Sequence, residues 1–167
     1  MKHFLVTCCA ALIASFLLSG CPKSGEFQSS RLVSLDSRHA EFLWGNPEGA
    51  WNPSPEQVGR AVDLAERFLY DPQRIADSKK LADKWTNSTQ GARMRRRYDE
   101  SYIQSVGVAL QGRPLVLLDI FCNRPGGLWE TDPVPILSTS ECTWAAAVDV
   151  SLDKVVLIEL DGFDSEE

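Results

Sequence analysis

The chain has 167 residues, with 23 acidic and 17 basic side chains and a formal net charge of −6. An acidic surface argues against nucleic acid as a partner and against broad adhesion to anionic lipid. The length suits one domain with a real core.

Residues 1–20 read as a processing segment. Lys2 supplies a positive start, Phe4 to Leu18 form an apolar run broken by Thr7 and Ser15, and the small residues Ser19 and Gly20 follow. That is the layout of a secretory signal. The run is about 15 residues, short of the roughly 18 to 20 that span a bilayer.

Leu18-Ser19-Gly20-Cys21 resembles the lipobox of bacterial lipoprotein signal peptides. The resemblance implies cleavage before Cys21, a diacylglyceryl group on its sulfur, and a membrane anchor made of acyl chains. Each buried CH₂ contributes about 0.8 kcal/mol, so stable anchoring takes two or three chains. Pro22 stands where an aspartate usually retains such proteins in the inner membrane. By resemblance the expected place is the periplasm-facing leaflet of the outer membrane, with the inner membrane as the alternative. Cleavage leaves 147 residues (167 − 20) and removes Lys2, so the mature net charge is 16 − 23, or −7.

Cys8 and Cys9 fall in the removed segment and Cys21 carries lipid, which leaves Cys122 and Cys142. In an oxidising periplasm an even pair reads as a disulfide. Closing a loop of about 21 residues stabilises by roughly 3 kcal/mol on the chain-entropy model. The alternatives are a metal pair or two free thiols. No CxxC occurs, and His39 is the single mature histidine.

Residues 21–40 hold the lipidated cysteine and a serine-rich tether. Residues 41–163 are expected to form one domain, and 164–167 an acidic tail. The stretch EFLWGNPEGAWNPSP has no periodicity, and Trp44 and Trp51 within it are expected to pack on the domain, with an aromatic binding loop as the alternative. Ser54-Pro55-Glu56-Gln57 is a capping box that starts a helix. Val58, Ala61, Val62, Ala65, Phe68 and Leu69 then recur at helical spacing up to Asp71-Pro72. A second, weaker helix runs to about Trp85. Arg93, Arg95, Arg96 and Arg97 form a local basic cluster. It is expected to be a solvated helix face paired with Asp99 and Glu100, the alternative being a site for lipid phosphate or an acidic partner.

From Tyr102 the period becomes two. Tyr102, Val106, Val108 and Leu110 share a face, and LVLLDIFC returns after a turn at Gln111–Pro114. A long connection leads to a second hairpin, whose first strand places Trp144, Ala146, Val148 and Val150 together and whose second places Val156, Ile158 and Leu160 on one face. Helices followed by four antiparallel strands make an α+β fold, with the helix laid on a four-stranded sheet of two hairpins. The element order resembles cystatin-like or nuclear-transport-factor-like domains. The span YIQSVGVALQGRPLVLLDIFC, with a second cysteine ahead of the last hairpin, is similar to uncharacterised proteobacterial lipoproteins. Both likenesses bear on fold and not on activity.

Asp119 interrupts an apolar strand. It is expected on a face open to water; if buried it needs an arginine or backbone donors, and in a cleft it becomes a candidate site. Asp149 shares a face with Ala145 and Ala147, which leaves room for a ligand groove or, the favoured reading, the flank of the helix. There is no G-x-S-x-G, no HExxH and no glycine-rich phosphate loop, so no catalytic residue is assigned and no metal or cofactor is implied. The expected role is a non-enzymatic, membrane-anchored lipoprotein that binds a periplasmic protein, as an inhibitor, immunity-type factor or scaffold. The alternative is a small-ligand or enzymatic pocket between helix and sheet.

Overall fold

The computed structural model describes residues 29–45, 47–87, 89–134 and 143–160. The signal segment, Cys21, Cys142 and the acidic tail lie outside the described residues. The described residues form an α+β fold with five α-helices and a six-stranded, mostly antiparallel sheet. No helix among them is long and apolar enough to cross a membrane.

The longest helix, α2 (Pro55–Tyr70), starts as its capping box requires. Ser54 Oγ accepts from Gln57 N, and Gln57 Oε1 accepts from Ser54 N. Pro55 occupies the first turn, where its missing N–H costs nothing. Val58, Ala61, Val62, Leu64, Ala65, Phe68 and Leu69 are buried along it. Full burial of a large apolar side chain contributes about 1.5–3 kcal/mol. After Asp71 the chain turns through α3 (Pro72–Ile75), α4 (Lys79–Thr86) and α5 (Thr89–Arg97). Trp85 of α4 packs between Phe68 and Trp144, with ring centroids 5.4 and 5.9 Å away.

The two expected hairpins are present. β3 (Tyr102–Leu110) pairs with β4 (Arg113–Phe121) across a two-residue loop, and β5 (Trp144–Asp149) pairs with β6 (Lys154–Leu160). Gln111 and Gly112 both have positive φ (51° and 71°), as a tight primed turn demands. β4 joins β5, completing four consecutive antiparallel strands.

The sheet has six strands rather than four, because the free edge of β3 holds two short strands end to end. β1 (Leu32–Ser34) runs parallel to it at 103–105, and β2 (Gly49–Trp51) antiparallel at 107–109. Residues 32–34, read from sequence as tether, are therefore part of the sheet. Between β1 and β2, α1 (Ala40–Trp44) packs Ala40, Leu43 and Trp44 against the sheet face opposite α2. Trp51 donates from Nε1 to Val108 O at 3.1 Å. Both tryptophans thus pack on the domain.

The sheet is buried on both faces. Ile103, Val116, Leu118, Ile120, Trp144, Ala146 and Val148 meet the helices. Val106, Val108, Leu115, Leu117, Ala145 and Ala147 form a second cluster on the other face. On β3 the face of Ile103 meets the helical layer, and the face shared by Val106 and Val108 is the far one. A bulge between Ala147 and Val148 breaks the alternation on β6, so Val156 packs with the second cluster and Ile158 with the helical one.

Gly107 is where β2 depends on a missing side chain. A Cβ there would come within 2.8 Å of the Trp51 ring and closer still to its carbonyl oxygen. Gly107→Ala is expected to push β2 off the edge and cost about 1–3 kcal/mol, read as a lower urea midpoint with red-shifted tryptophan emission.

Candidate functional site on the far face of the sheet

One row of side chains crosses the sheet on the face away from α2. Gln104 of β3 opposes Asp119 of β4, Asp119 opposes Ala145 of β5, and Ala145 opposes Glu159 of β6. Period-two alternation puts all four on one face. Gln104 and Asp119 are fully buried, and Glu159 is exposed.

Gln104 holds down the loop that follows β4. Its Nε2 donates to the carbonyls of Trp129 and Asp132, the latter at 2.8 Å, and its Oε1 accepts from Val134 N at 2.9 Å. Three loop backbone groups are thus satisfied by one amide, which uses both its donor and its acceptor. Trp129 is buried, edge-on to Tyr102 at 5.4 Å. Its Nε1 has no hydrogen-bond partner among the described residues.

Asp119 was expected to face water. It is 0% exposed, and neither carboxylate oxygen has a hydrogen-bond partner among the described residues. Burial, and then the charge of Glu159, pushes its carboxyl up to about 8. At neutral pH the group is a buried acid that holds its proton. Such a group can donate a proton or bind a polar ligand where one reaches it. Two open grooves lie on the helix side instead. One of about 830 Å³ runs between Trp51, Gln57, Arg60 and Pro114, and one of about 330 Å³ lies along the outer flank of α2 at Arg67, Tyr70 and Arg74.

Asp149 clasps the hairpin ends together. Its Oδ1 accepts from Ser151 N, Ser151 Oγ and Leu152 N at 3.0, 2.6 and 3.1 Å. Its Oδ2 accepts from Arg113 Nε at 3.0 Å. Burial raises this carboxyl, but the bonds from Ser151, Arg113 and Leu152 outweigh it, and the net shift is downward. Arg113 also reaches Asp77 Oδ2 at 3.4 Å. Beside this clasp, Arg60 of α2 donates from Nε to Asp153 Oδ1 at 2.9 Å.

The arginine cluster lies on α5 and anchors largely on backbone carbonyls. Arg95 donates to Leu69 O at 2.8 Å, Arg96 to Ala92 O at 3.3 Å, and Arg97 to Cys122 O and Asn123 Oδ1, both at 3.2 Å. His39 accepts at Nε2 from Arg38 Nε at 3.4 Å. Cys122 is disulfide-bonded; its expected partner, Cys142, lies outside the described residues. Among the described residues no three His, Cys, Asp or Glu side chains are grouped to hold a metal.

The structure therefore brings Asp119 together with Gln104, Trp129 and Glu159, and places Asp149, the α5 arginines, Trp44 and Trp51 elsewhere. Sequence reasoning missed Gln104, although a glutamine at an inward position of β3 was the available signal. Trp129 sits in an aperiodic connection that carries no such signal. Comparison with protein-family models, curated proteins and solved structures finds no match to the chain.

The buried carboxyl sets a pH dependence. In the unfolded chain an aspartate titrates near 3.9; in the fold Asp119 titrates at about 8. Its contribution is full below about pH 4 and falls as pH rises, the loss being complete once pH passes about 8. Asp119→Asn removes the ionisation and keeps the shape. Urea unfolding at pH 5, 7 and 9 is expected to show the variant gaining on the native protein at each step and exceeding it at pH 9. A difference that stays constant with pH would mean that this carboxyl is solvated.

Proposed function

We propose that the chain is an envelope lipoprotein, anchored through Cys21 in the outer membrane on its periplasmic side, and that its domain binds another periplasmic protein. The observation that carries the anchor is the sequence Leu18-Ser19-Gly20-Cys21 at its distance behind Lys2 and an apolar run. The disulfide at Cys122 supports an oxidising compartment.

A protein-binding role is supported by the apolar side chains left around the far face of the sheet. Phe42 on α1 is 57% exposed and Leu128 in the loop is 71% exposed. Leu43, Trp44, Leu110, Val156 and Leu157 are only partly covered there. Exposed apolar side chains on this side of the sheet suit contact with a protein partner. The form of partner binding proposed is that of an inhibitor, an immunity-type factor or a scaffold.

Cys21→Ala is expected to move the protein out of the detergent-extracted membrane fraction, or to leave its signal segment uncleaved by intact mass. Crosslinking in membranes is expected to trap one partner through positions 42 and 128. Membrane retention of the Cys21→Ala variant in cleaved form would remove the anchor, and crosslinks to nothing would remove the partner.

A second reading, a small-ligand or enzymatic pocket, is favoured by the two unpartnered oxygens of Asp119. It expects a ligand that raises the melting temperature of the native protein and not of Asp119→Asn. A panel of amines and polar metabolites that shifts both equally would dismiss it.

A further inference from the structure

We propose that the outer edge of β6 pairs antiparallel with the β6 of a second copy of this chain, joining two sheets into one. This edge is separate from the apolar side chains around Phe42 and Leu128. Three observations lead to it.

The first is an edge left open. In the order β1-β3-β4-β5-β6, β6 is the last strand. Its start is covered, since Ala76 bridges Val155 and Asp77 N donates to Val155 O at 2.8 Å. Beyond that point residues 156–160 have no strand on their outer side among the described residues. The opposite edge is built of the three-residue strands β1 and β2, too short to offer much of a template. β6 is long enough to offer one.

The second is what stands along the edge. Val155, Val156, Leu157 and Ile158 follow one another without a polar residue. Val156, Leu157 and Ile158 are only half-buried. The bulge sets Val156 and Leu157 with the far-face cluster and Ile158 with the helical one. Both layers of the core therefore end half-covered at this strand, and one added strand would extend both. Neither proline nor lysine, the residues that blunt an exposed edge, occurs from 155 to 160.

The third is charge, and it selects a second copy over other strands. Arg74, Lys79, Lys80 and Lys154 gather at the start of β6. Lys154 Nζ donates to Arg74 O at 2.7 Å, and α4 begins with Lys79, two residues after Asp77. None of the four forms an ion pair among the described residues. The nearby acids Asp77 and Asp153 are already paired, with Arg113 and Arg60. At the other end stand Glu159 and, next in sequence, Asp161, Asp164, Glu166 and Glu167. The strand thus runs from positive to negative. Antiparallel pairing with itself brings each acidic end to the partner's basic start, and one two-fold axis satisfies both ends. A parallel copy would set like charge against like. Because 156–160 is the free stretch, its middle residue, Ile158, falls on the axis.

The test is the mass and the contact geometry of the full chain in detergent. Light scattering is expected to find two chains per particle, with a dissociation constant that rises with salt. Ile158→Cys is expected to give a covalent dimer on mild oxidation. Leu152→Cys is not, although Leu152 is 57% exposed, because the two copies of its turn lie at opposite ends of the pairing. Lys79→Glu/Lys80→Glu is expected to weaken the dimer about tenfold or more and to leave the far-ultraviolet circular dichroism unchanged. One chain per particle at every concentration would overturn the proposal. So would a dimer that ignores the double variant, or one trapped through Leu152→Cys. Dimers that form only after residues 161–167 are deleted would make the chain's own tail the occupant. A single chain whose thiol at position 158 captures a different protein in membranes would make the occupant a foreign strand. Either result also overturns the second copy. Should Ile158→Cys fail to fold, the mass of the unaltered chain and its loss in the double variant decide.

Discussion

The fold depends on strand β3 being hydrogen-bonded along both edges. One edge pairs with β4 over nine residues, and the other is shared by β1 and β2. An open edge of nine residues would expose a row of unpaired backbone groups to any passing strand. Two three-residue strands close it. Each is too short to stand alone, so each is held by what surrounds it. β1 is continued by Leu35 N donating to Ser105 O at 2.8 Å, and β2 by Trp51 lying over Gly107. The same pairing fixes where the amino-terminal chain enters and which corner of the sheet it shares with the arginines of α5.

Pairing β3 on both sides makes it an interior strand, and interior strands here are covered on both faces. α2 supplies one cover through its apolar stripe. The other cover is assembled from small pieces, α1 and the loop 128–134, and it is the polar Gln104 that holds the loop. A buried amide that satisfies three backbone groups repays its own desolvation. Asp119, its neighbour in register, has no such return among the described residues and keeps its proton instead. The contrast between two adjacent polar side chains, one paired and one unpaired, makes this face the part of the domain with chemical potential.

Charge is arranged by position along the sheet. At the hairpin-turn end Arg113 ties Asp149 and Asp77 together, and Arg60 ties α2 to Asp153. These pairs cross between elements distant in sequence and lock the helix layer to the turns, although exposed pairs of this kind contribute little each. At the other end the arginines of α5 rest mainly on carbonyl oxygens. Arg124 at that end pairs with Glu130 at 3.1 Å.

The sequence by itself determined the elements whose signals are local. Helix α2 is written in its capping box and in a stripe at 3.6-residue spacing, and both hairpins in alternation and turn residues such as Gln111-Gly112. It also carried the layout of residues 1–21, which no part of the fold is needed to read. Only the tertiary structure decided which face of β3 meets the helices, because alternation gives two faces and names neither. It alone assigned residues 32–34 and 49–51 to the sheet, since three residues are too few to show a period. It alone buried Asp119, because that burial comes from elements brought over the strand from elsewhere in the chain, and a single strand cannot announce what will cover it.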